Sequence, residues 1–402
     1  MSAAGSSVQT LPLARFRLWP KLERKRTLYG FNLEITARCN HDCRHCYINR
    51  PAHDTAERQQ ELTVAEVARL ASEVAELGGL WCVLGGGEPL LREDFAEIYL
   101  TLKRRGLLIT LFTNATLITE RHAALLKKYP PRDVEVTVYG VTPATYERVT
   151  RRPGAFEAFQ RGLRLLREAG IPVRLKAMAL RSNVHELRDI IRFCRANTKD
   201  WFRFDPFLQL RVDGDPVRNA EIRAERLSPE EVVAVELAEP PRAAGMLRRF
   251  CHVLEAPRTG GVPDPTRLFR CGVGEGSFDI SSSGLIRPCN ALWHPDFVYD
   301  WRKGTVRDAW ENFFPRVLPR TSTRPEFVER CGACELADLC MWCPANAYLE
   351  TGELDVPVVD YCRLASARLA ALREARMRQD RAGRADGQVG NGPAPGANKN
   401  LG

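Results

Sequence analysis

The chain has 402 residues, 59 Lys and Arg against 50 Asp and Glu for a formal charge of +9 at pH 7, and a composition 44% hydrophobic and 27% charged. Such a balance excludes a disordered chain, and at about 150 residues per domain it predicts two to three domains. No apolar run approaches the ~18 residues that cross a bilayer, and the first residues lack the apolar stretch of a cleaved signal, so a cytoplasmic protein without membrane contact is expected. After a basic, irregular lead-in over residues 1–30, the pattern predicts a short buried strand at 31–36. A helix at about 63–77 follows, opened by a capping box, Thr63-x-x-Glu66. Next come a strand at 80–84 ending in Gly85-Gly86-Gly87, a helix at 95–103, a strand at 107–112 and a helix at 120–128. A strand at 134–138, a helix at 156–169 stopped by Gly170, a strand at 173–180, a helix at 184–196 and a strand at 201–204 complete the series. Six strands joined by five helices predict a parallel sheet with crossover helices, short of the eight pairs of a closed barrel.

The character changes near residue 210. Residues 211–265 are charged and rich in Pro, with one helix near 228–237, and read as a bridging segment. Residues 266–366 hold seven of the 13 cysteines and few periodic segments. They predict a small domain with little regular structure, stapled by bound metal. Residues 367–402 are expected to be the end of a basic helix, begun near 362 and running to about 380, and then a disordered tail of Gly, Pro and Asn.

Thirteen cysteines without a secretion signal argue for metal binding or catalysis rather than disulfides. Basic residues are spread along the chain rather than gathered, so nucleic acid is not an expected partner. Cys39, Cys43 and Cys46 follow the first strand and so lie on a loop at the carboxyl edge of the sheet, where α/β barrels place their chemistry. Three thiolates this close can hold three corners of a 4Fe–4S cluster and leave the fourth iron open to a ligand. A closed zinc site completed by His41 or His45, and plain buried thiols, are the alternatives. Taken singly, His41, His45 and His53 read as surface histidines. Gly85-Gly86-Gly87-Glu88-Pro89 follows the second strand; its glycines let backbone approach a ligand and its carboxylate can accept bonds from an ammonium group, a tight turn being the other reading. Cys82 and Cys194 read as small buried hydrophobes.

Cys39-x3-Cys43-x2-Cys46 together with Gly86-Gly87-Glu88-Pro89 resembles the radical S-adenosylmethionine (SAM) superfamily. The resemblance implies a partial (β/α)6 barrel over residues 31–210. It implies a 4Fe–4S cluster on Cys39, Cys43 and Cys46 whose open iron takes the amino and carboxylate groups of SAM, with Gly86, Gly87, Glu88 and Pro89 at the amino group. Asn114 and Thr137, at the next strand ends, would contact the ribose and methionine. Many relatives carry Ser-Leu-Asp-Gly where this chain has Thr137-Val138-Tyr139-Gly140, so Tyr139 stands in place of the acid. Lys176 is a further candidate, its other reading a solvated lysine at the sheet edge. Cys271-x12-Gly284-x4-Cys289, then Cys331-x2-Cys334-x5-Cys340-x2-Cys343, then Cys362, resembles the SPASM extension of peptide-modifying members. By that resemblance Cys331, Cys334, Cys340 and Cys362 hold one auxiliary 4Fe–4S cluster, and Cys271, Cys289 and Cys343 hold another. Ser277 occupies the position of the usual fourth cysteine of the second set, and Cys251 is an unassigned alternative.

The activity the resemblance implies is reductive cleavage of SAM to a 5′-deoxyadenosyl radical, which abstracts hydrogen from a ribosomally made peptide or protein. The product would be a thioether or carbon–carbon cross-link, or a related oxidation. Asn290, where formylglycine-forming relatives carry Asp, counts against that activity. An electron donor of flavodoxin or ferredoxin type and a separate peptide-recognition protein are the expected partners. The rival readings are a small-molecule or cofactor-precursor substrate and a non-enzymatic zinc protein.

Overall fold

Phe31, Leu33 and Ile35 alternate with Asn32 and Glu34, and the strand they form has one face closed against apolar side chains and one face polar. This strand, β1 (Gly30–Thr36), starts a sheet that repeats the pattern in β2 (Trp81–Gly86), β3 (Leu108–Thr113), β4 (Asp133–Val138), β5 (Val173–Met178) and β6 (Arg203–Asp205). The structure, a computed structural model, describes residues 26–198, 202–246 and 264–388. The six strands pair in parallel and in chain order. Helices such as Val64–Glu76, Phe95–Arg104, Glu120–Lys128, Ala155–Glu168 and Leu187–Asn197 connect them. This is the arrangement of a partial (β/α)6 barrel. The capping box at Thr63 and Glu66 forms with both bonds made, at 3.2 and 2.8 Å. Leu33, Leu84, Leu111, Val136 and Leu175 are buried on the outer, helix-covered face. The inner face carries Asn32, Glu34, Glu135, Lys176 and Arg203. Lys176 stands there against Glu135 at 3.2 Å and over the Phe112 ring at 3.5 Å, and not at a solvated edge.

The cysteine-rich region departs from the expectation of little regular structure. Ser277–Ile280 (β7) adds to β1 in parallel, and Leu285–Arg287 (β8) and Tyr299–Asp300 (β9) continue the sheet antiparallel. The sheet therefore has nine strands, ordered β9-β8-β7-β1-β2-β3-β4-β5-β6. Helix Val64–Glu76 locks this addition in place. Glu73 accepts from the Trp301 indole at 3.0 Å and the Val306 amide at 2.7 Å, and Glu66 pairs with Arg302 at 2.7 Å.

Two compact units share the chain. One takes the residues up to Arg226, Arg267–Thr321 and Cys343–Asp355; the other takes Leu227–Thr266, Ser322–Trp342 and the residues from Val356 onward. The bridging segment holds a second helix, Pro216–Glu225, beside the expected one at Pro229–Leu237; Asp215 caps it and Pro216 opens it, a start signal hidden in charged sequence. The second unit packs Leu339, Ala365 and Leu372 together and joins Glu236 to Arg368 at 2.7 Å. Its long helix, Val359–Gln388, runs beyond the expected end near 380. The expectations for residues 1–25, Trp201, Cys251 and 389–402 fall outside the described residues. No helix among the described residues is long and apolar enough to cross a membrane.

Candidate active site at the carboxyl end of the sheet

β1 ends at Thr36, and the chain there is pinned before it reaches the first cysteine. The Thr36 hydroxyl donates to Glu61 at 2.5 Å, and Arg38, 7% exposed, pairs with the same carboxylate at 2.8 Å. From the other side the glycine run docks onto this segment. Gly87 N donates to Thr36 O at 2.7 Å and Glu88 N to Arg38 O at 2.9 Å. A Cβ at Gly86, whose φ is +133°, would lie 2.1 Å from Thr36 O, and one at Gly87 would lie 2.3 Å from Arg38 O. The glycines thus admit the backbone of the cysteine segment, a close approach within the chain itself.

Glu88 is fully buried. Its carboxylate accepts from the Thr113 hydroxyl at 2.8 Å, Asn114 N at 2.8 Å and Leu90 N at 3.1 Å. Burial raises it to about 7 against the opposing pull of these bonds. Asn114 turns back to donate to Asn40 Oδ1 at 2.9 Å, and Asn40 donates to Thr116 at 2.9 Å. Glu88, Asn114, Asn40 and Thr116 are thereby joined in one hydrogen-bonded chain, and Asn114 Nδ2 extends it to Cys39 Sγ at 3.9 Å. Pro89 opens the buried turn after Glu88, and Thr137 lies on β4 in register with Lys176.

The three thiols Cys39, Cys43 and Cys46 lie within electrostatic reach of one another. Burial raises all three, and at Cys39 and Cys43 the neighbouring thiols add to the rise. Opposing it at Cys46 are the amides of Ile48 and Asn49 and the cations Arg211 and Arg218. Arg211, 3% exposed, donates to Asn49 Oδ1 at 2.9 Å and Asn49 O at 3.2 Å, and is held by Asp213 at 2.7 Å. Arg218 donates to Cys43 O at 3.1 Å and pairs with Asp42 at 2.9 Å. Sequence reasoning missed both arginines. They lie well over a hundred residues from the loop they clamp, and no local pattern announces such a contact. Tyr139 hydrogen-bonds to Cys43 and packs its ring 5.2 Å from His45. His41 and His45 are not surface histidines: His41 is buried and His45 half-buried, both ring nitrogens of His41 and Nδ1 of His45 find no partner among the described residues, and burial lowers both to about 4, so they are neutral at pH 7. His53 is exposed as expected.

A 4Fe–4S cluster fits this loop. The loop supplies three adjoining thiols, backbone and guanidinium donors that favour their anionic form, and partnerless buried donors around them. Among the described residues no three His, Cys, Asp or Glu side chains gather as the ligands of a single ion would.

The remaining cysteines fall into two groups. Cys271, Cys289 and Cys343 lie in the first unit, where the charges of Cys289 and Cys271 add to burial in raising Cys343 to about 11. Cys343 caps the helix Pro344–Thr351, accepting from Asn346 N at 3.4 Å. Ser277 begins β7, opposite Gly30. Cys331, Cys334, Cys340 and Cys362 lie in the second unit; burial, then the charges of the other three, raises Cys331 to about 12. Cys82 and Cys194 are buried among apolar neighbours.

Residues 33–194 match the family model of the radical SAM superfamily. The chain is 27% identical over 332 residues to the AdoMet-dependent heme synthase of Methanosarcina barkeri, covering 80% of this chain and 92% of the relative. It is 26% identical over 331 residues to the PqqA peptide cyclase of Bradyrhizobium diazoefficiens, covering 80% and 82%. Streptococcus suis SuiB bound to S-adenosylmethionine shares the fold with a TM-score of 0.60 at 14% identity, over 85% of this chain and 80% of that one.

Proposed function

Since its radical SAM domain makes this chain a radical SAM enzyme, we propose that it modifies a peptide or protein substrate through hydrogen abstraction. The domain implies a 4Fe–4S cluster and SAM, which together supply a 5′-deoxyadenosyl radical. In this reading Cys39, Cys43 and Cys46 hold the cluster. Gly86, Gly87, Glu88 and Pro89 bind the SAM amino group, and Asn114 and Thr137 face the rest of the cofactor. The Arg211 and Arg218 clamp keeps the loop carbonyls satisfied and the thiolates anionic. The two further cysteine groups hold auxiliary clusters, and a flavodoxin or ferredoxin type protein supplies the electron.

The charge pattern of the inner face carries the choice of substrate. Lys176 pairs with Glu135 at 3.2 Å, Arg174 with Asp133 at 3.3 Å, Arg203 with Asp205 at 3.3 Å and Arg287 with Glu34 at 3.4 Å. Each of these cations is already matched by a carboxylate, and Asp279 adds one more beside Asn32 at 2.8 Å. A porphyrin bearing several carboxylates would meet a neutral to acidic wall, whereas a peptide backbone with neutral or basic side chains meets no such repulsion. The peptide-cyclase relative supports the same reading; the heme-synthase relative supports the rival.

The experiment sets the two substrates side by side. The anaerobically reconstituted protein is given SAM, a low-potential reductant, and either peptides encoded beside its gene or iron porphyrins. The expected result is 5′-deoxyadenosine formed in step with a peptide that has lost hydrogen, read by mass spectrometry. Turnover coupled to an iron porphyrin alone overturns the peptide reading.

A further inference from the structure

Tyr146 presents a buried hydroxyl that finds no partner among the described residues. The residue is wholly inaccessible, and its phenol oxygen accepts from and donates to nothing among the described residues. A buried hydroxyl without a partner costs about as much as a lost hydrogen bond, so an external partner is indicated. The ring has little freedom to search for one. It stacks on Phe159 at 5.1 Å, meets Tyr139 edge-on at 5.7 Å and tilts against Phe156 at 5.7 Å. Its helix, Pro143–Thr150, is tied to the cysteine loop, since Asp42 N donates to Thr150 O at 3.0 Å and Arg44 N to Val149 O at 3.3 Å. The loop and the ring are thus one rigid assembly. Among charged neighbours Cys43 acts on Tyr146 most strongly, ahead of Glu88 and Cys39.

Tyr139 approaches the same thiol from β4. Its hydroxyl hydrogen-bonds to Cys43, and its backbone is held by Asn183, whose amide donates to Tyr139 O at 3.0 Å. Two phenols, locked by different elements, therefore lie beside the cysteine loop, one bonded to Cys43 and the other without a partner among the described residues. Carboxylates at these places would repel electron density on sulfur; phenol O–H groups attract it. Hydrogen bonds to cluster sulfurs favour the more negative, reduced state and raise the reduction potential.

We propose that Tyr139 and Tyr146 donate hydrogen bonds to the sulfur shell at Cys43 and so set the reduction potential of the cluster that Cys39, Cys43 and Cys46 hold. The inference rests on the cofactor assignment above. Both are positioning residues: neither needs to touch the substrate.

The test uses the full chain, anaerobically reconstituted, without SAM and without substrate. The signal absent from a Cys39→Ala, Cys43→Ala, Cys46→Ala variant identifies the site, and an EPR-monitored redox titration follows it. Failure of the parent protein to bind iron there overturns the cofactor assignment and this inference with it. With iron bound, Tyr139→Phe and Tyr146→Phe should each move the midpoint potential downward, and the double variant further, with SAM affinity unchanged. An unmoved potential in the double variant overturns the inference, whether SAM affinity falls (the phenols then serve SAM) or stays (they then only pack). If a Phe variant takes up no iron, 3-fluorotyrosine incorporated at position 146 keeps the shape and strengthens the donor. An upward shift there supports the proposal and an unchanged potential overturns it.

Discussion

The loop of Cys39, Cys43 and Cys46 and the group of Cys331, Cys334, Cys340 and Cys362 use the same side chain in opposite settings. The first is fastened by side chains and backbone from distant parts of one sheet: Glu61, Arg38, Gly87, Asn114, Arg211 and Arg218 all bond to it or beside it. Three cysteines of the second lie among single turns, Pro325–Phe327, Val328–Gly332 and Ala337–Leu339, over a small cluster of Leu339, Ala365 and Leu372, and the fourth, Cys362, is exposed on the long helix Val359–Gln388. A frame of that density holds its shape before any metal arrives. One that sparse is expected to draw its order from the cluster proposed for its thiols.

The largest effect expected from breaking this contrast is on chemistry. Cys39→Ala, Cys43→Ala and Cys46→Ala together should abolish 5′-deoxyadenosine formation and remove about a third of the iron, if each of three groups carries one cluster. Loss of all iron would show that the groups do not fill independently. Iron removal is the next test. In hydrogen exchange of the apoprotein, residues 325–345 should lose protection while β1 to β5 keep theirs; equal loss in both would erase the distinction.

Arginines sharpen the comparison on a smaller scale. Arg211→Ala leaves the Asn49 acceptors without their donor and Asp213 with Arg50 at 3.2 Å, and unfolding of the apoprotein should show a loss of about 1–3 kcal/mol. Arg363→Ala, in the second unit, breaks only an exposed pair with Asp360 at 3.7 Å and should change stability by less than about 0.5 kcal/mol. Glycines grade the docking of the first loop. Gly87→Ala forces a Cβ against Arg38 O and should cost about 1–3 kcal/mol with loss of iron uptake. Gly85→Ala meets only Phe112 Cβ at 3.3 Å and should cost less, as thermal unfolding would register. A Gly87→Ala protein of full stability would refute the docking role.

The smallest expected effect is on pH dependence. Glu88 has its folded pKa raised by burial from 4.5 to about 7, so the folded state holds the proton more tightly than the unfolded one. The resulting stabilisation is complete below pH 4.5 and is lost as pH rises through about 7, a change of up to about 3 kcal/mol. Glu88→Gln loses one acceptor, and should be less stable than the parent at pH 5 and closer to it at pH 7.5. Urea unfolding of the apoprotein at the two values checks this, and parallel curves would place the Glu88 titration elsewhere.

Much of the first region was legible in the sequence because its signals are local. The alternation in 31–36, the capping box at Thr63 and the spacing of Cys39, Cys43 and Cys46 each depend on a few neighbouring residues. The helix at Pro216–Glu225 was overlooked although Asp215 and Pro216 announce it, because the surrounding charge resembles a linker. Tyr139, noted in the sequence as a departure from a pattern, packs from the end of β4 against the cysteine loop. The strand Ser277–Ile280 gave no hint that it would pair with β1.

The sequence by itself determined the order of strands and helices and the grouping of the first three cysteines, since periodicity and spacing are properties of a short stretch. Tertiary structure alone decided that Gly86 and Gly87 receive the backbone of the cysteine segment, that Arg211 and Arg218 close on the loop, and that Tyr139 packs against both His45 of the loop and Tyr146. The contacts with the loop join residues tens to more than a hundred and fifty positions apart. Only the parallel sheet, by bringing successive strand ends to one edge, puts them within bonding distance.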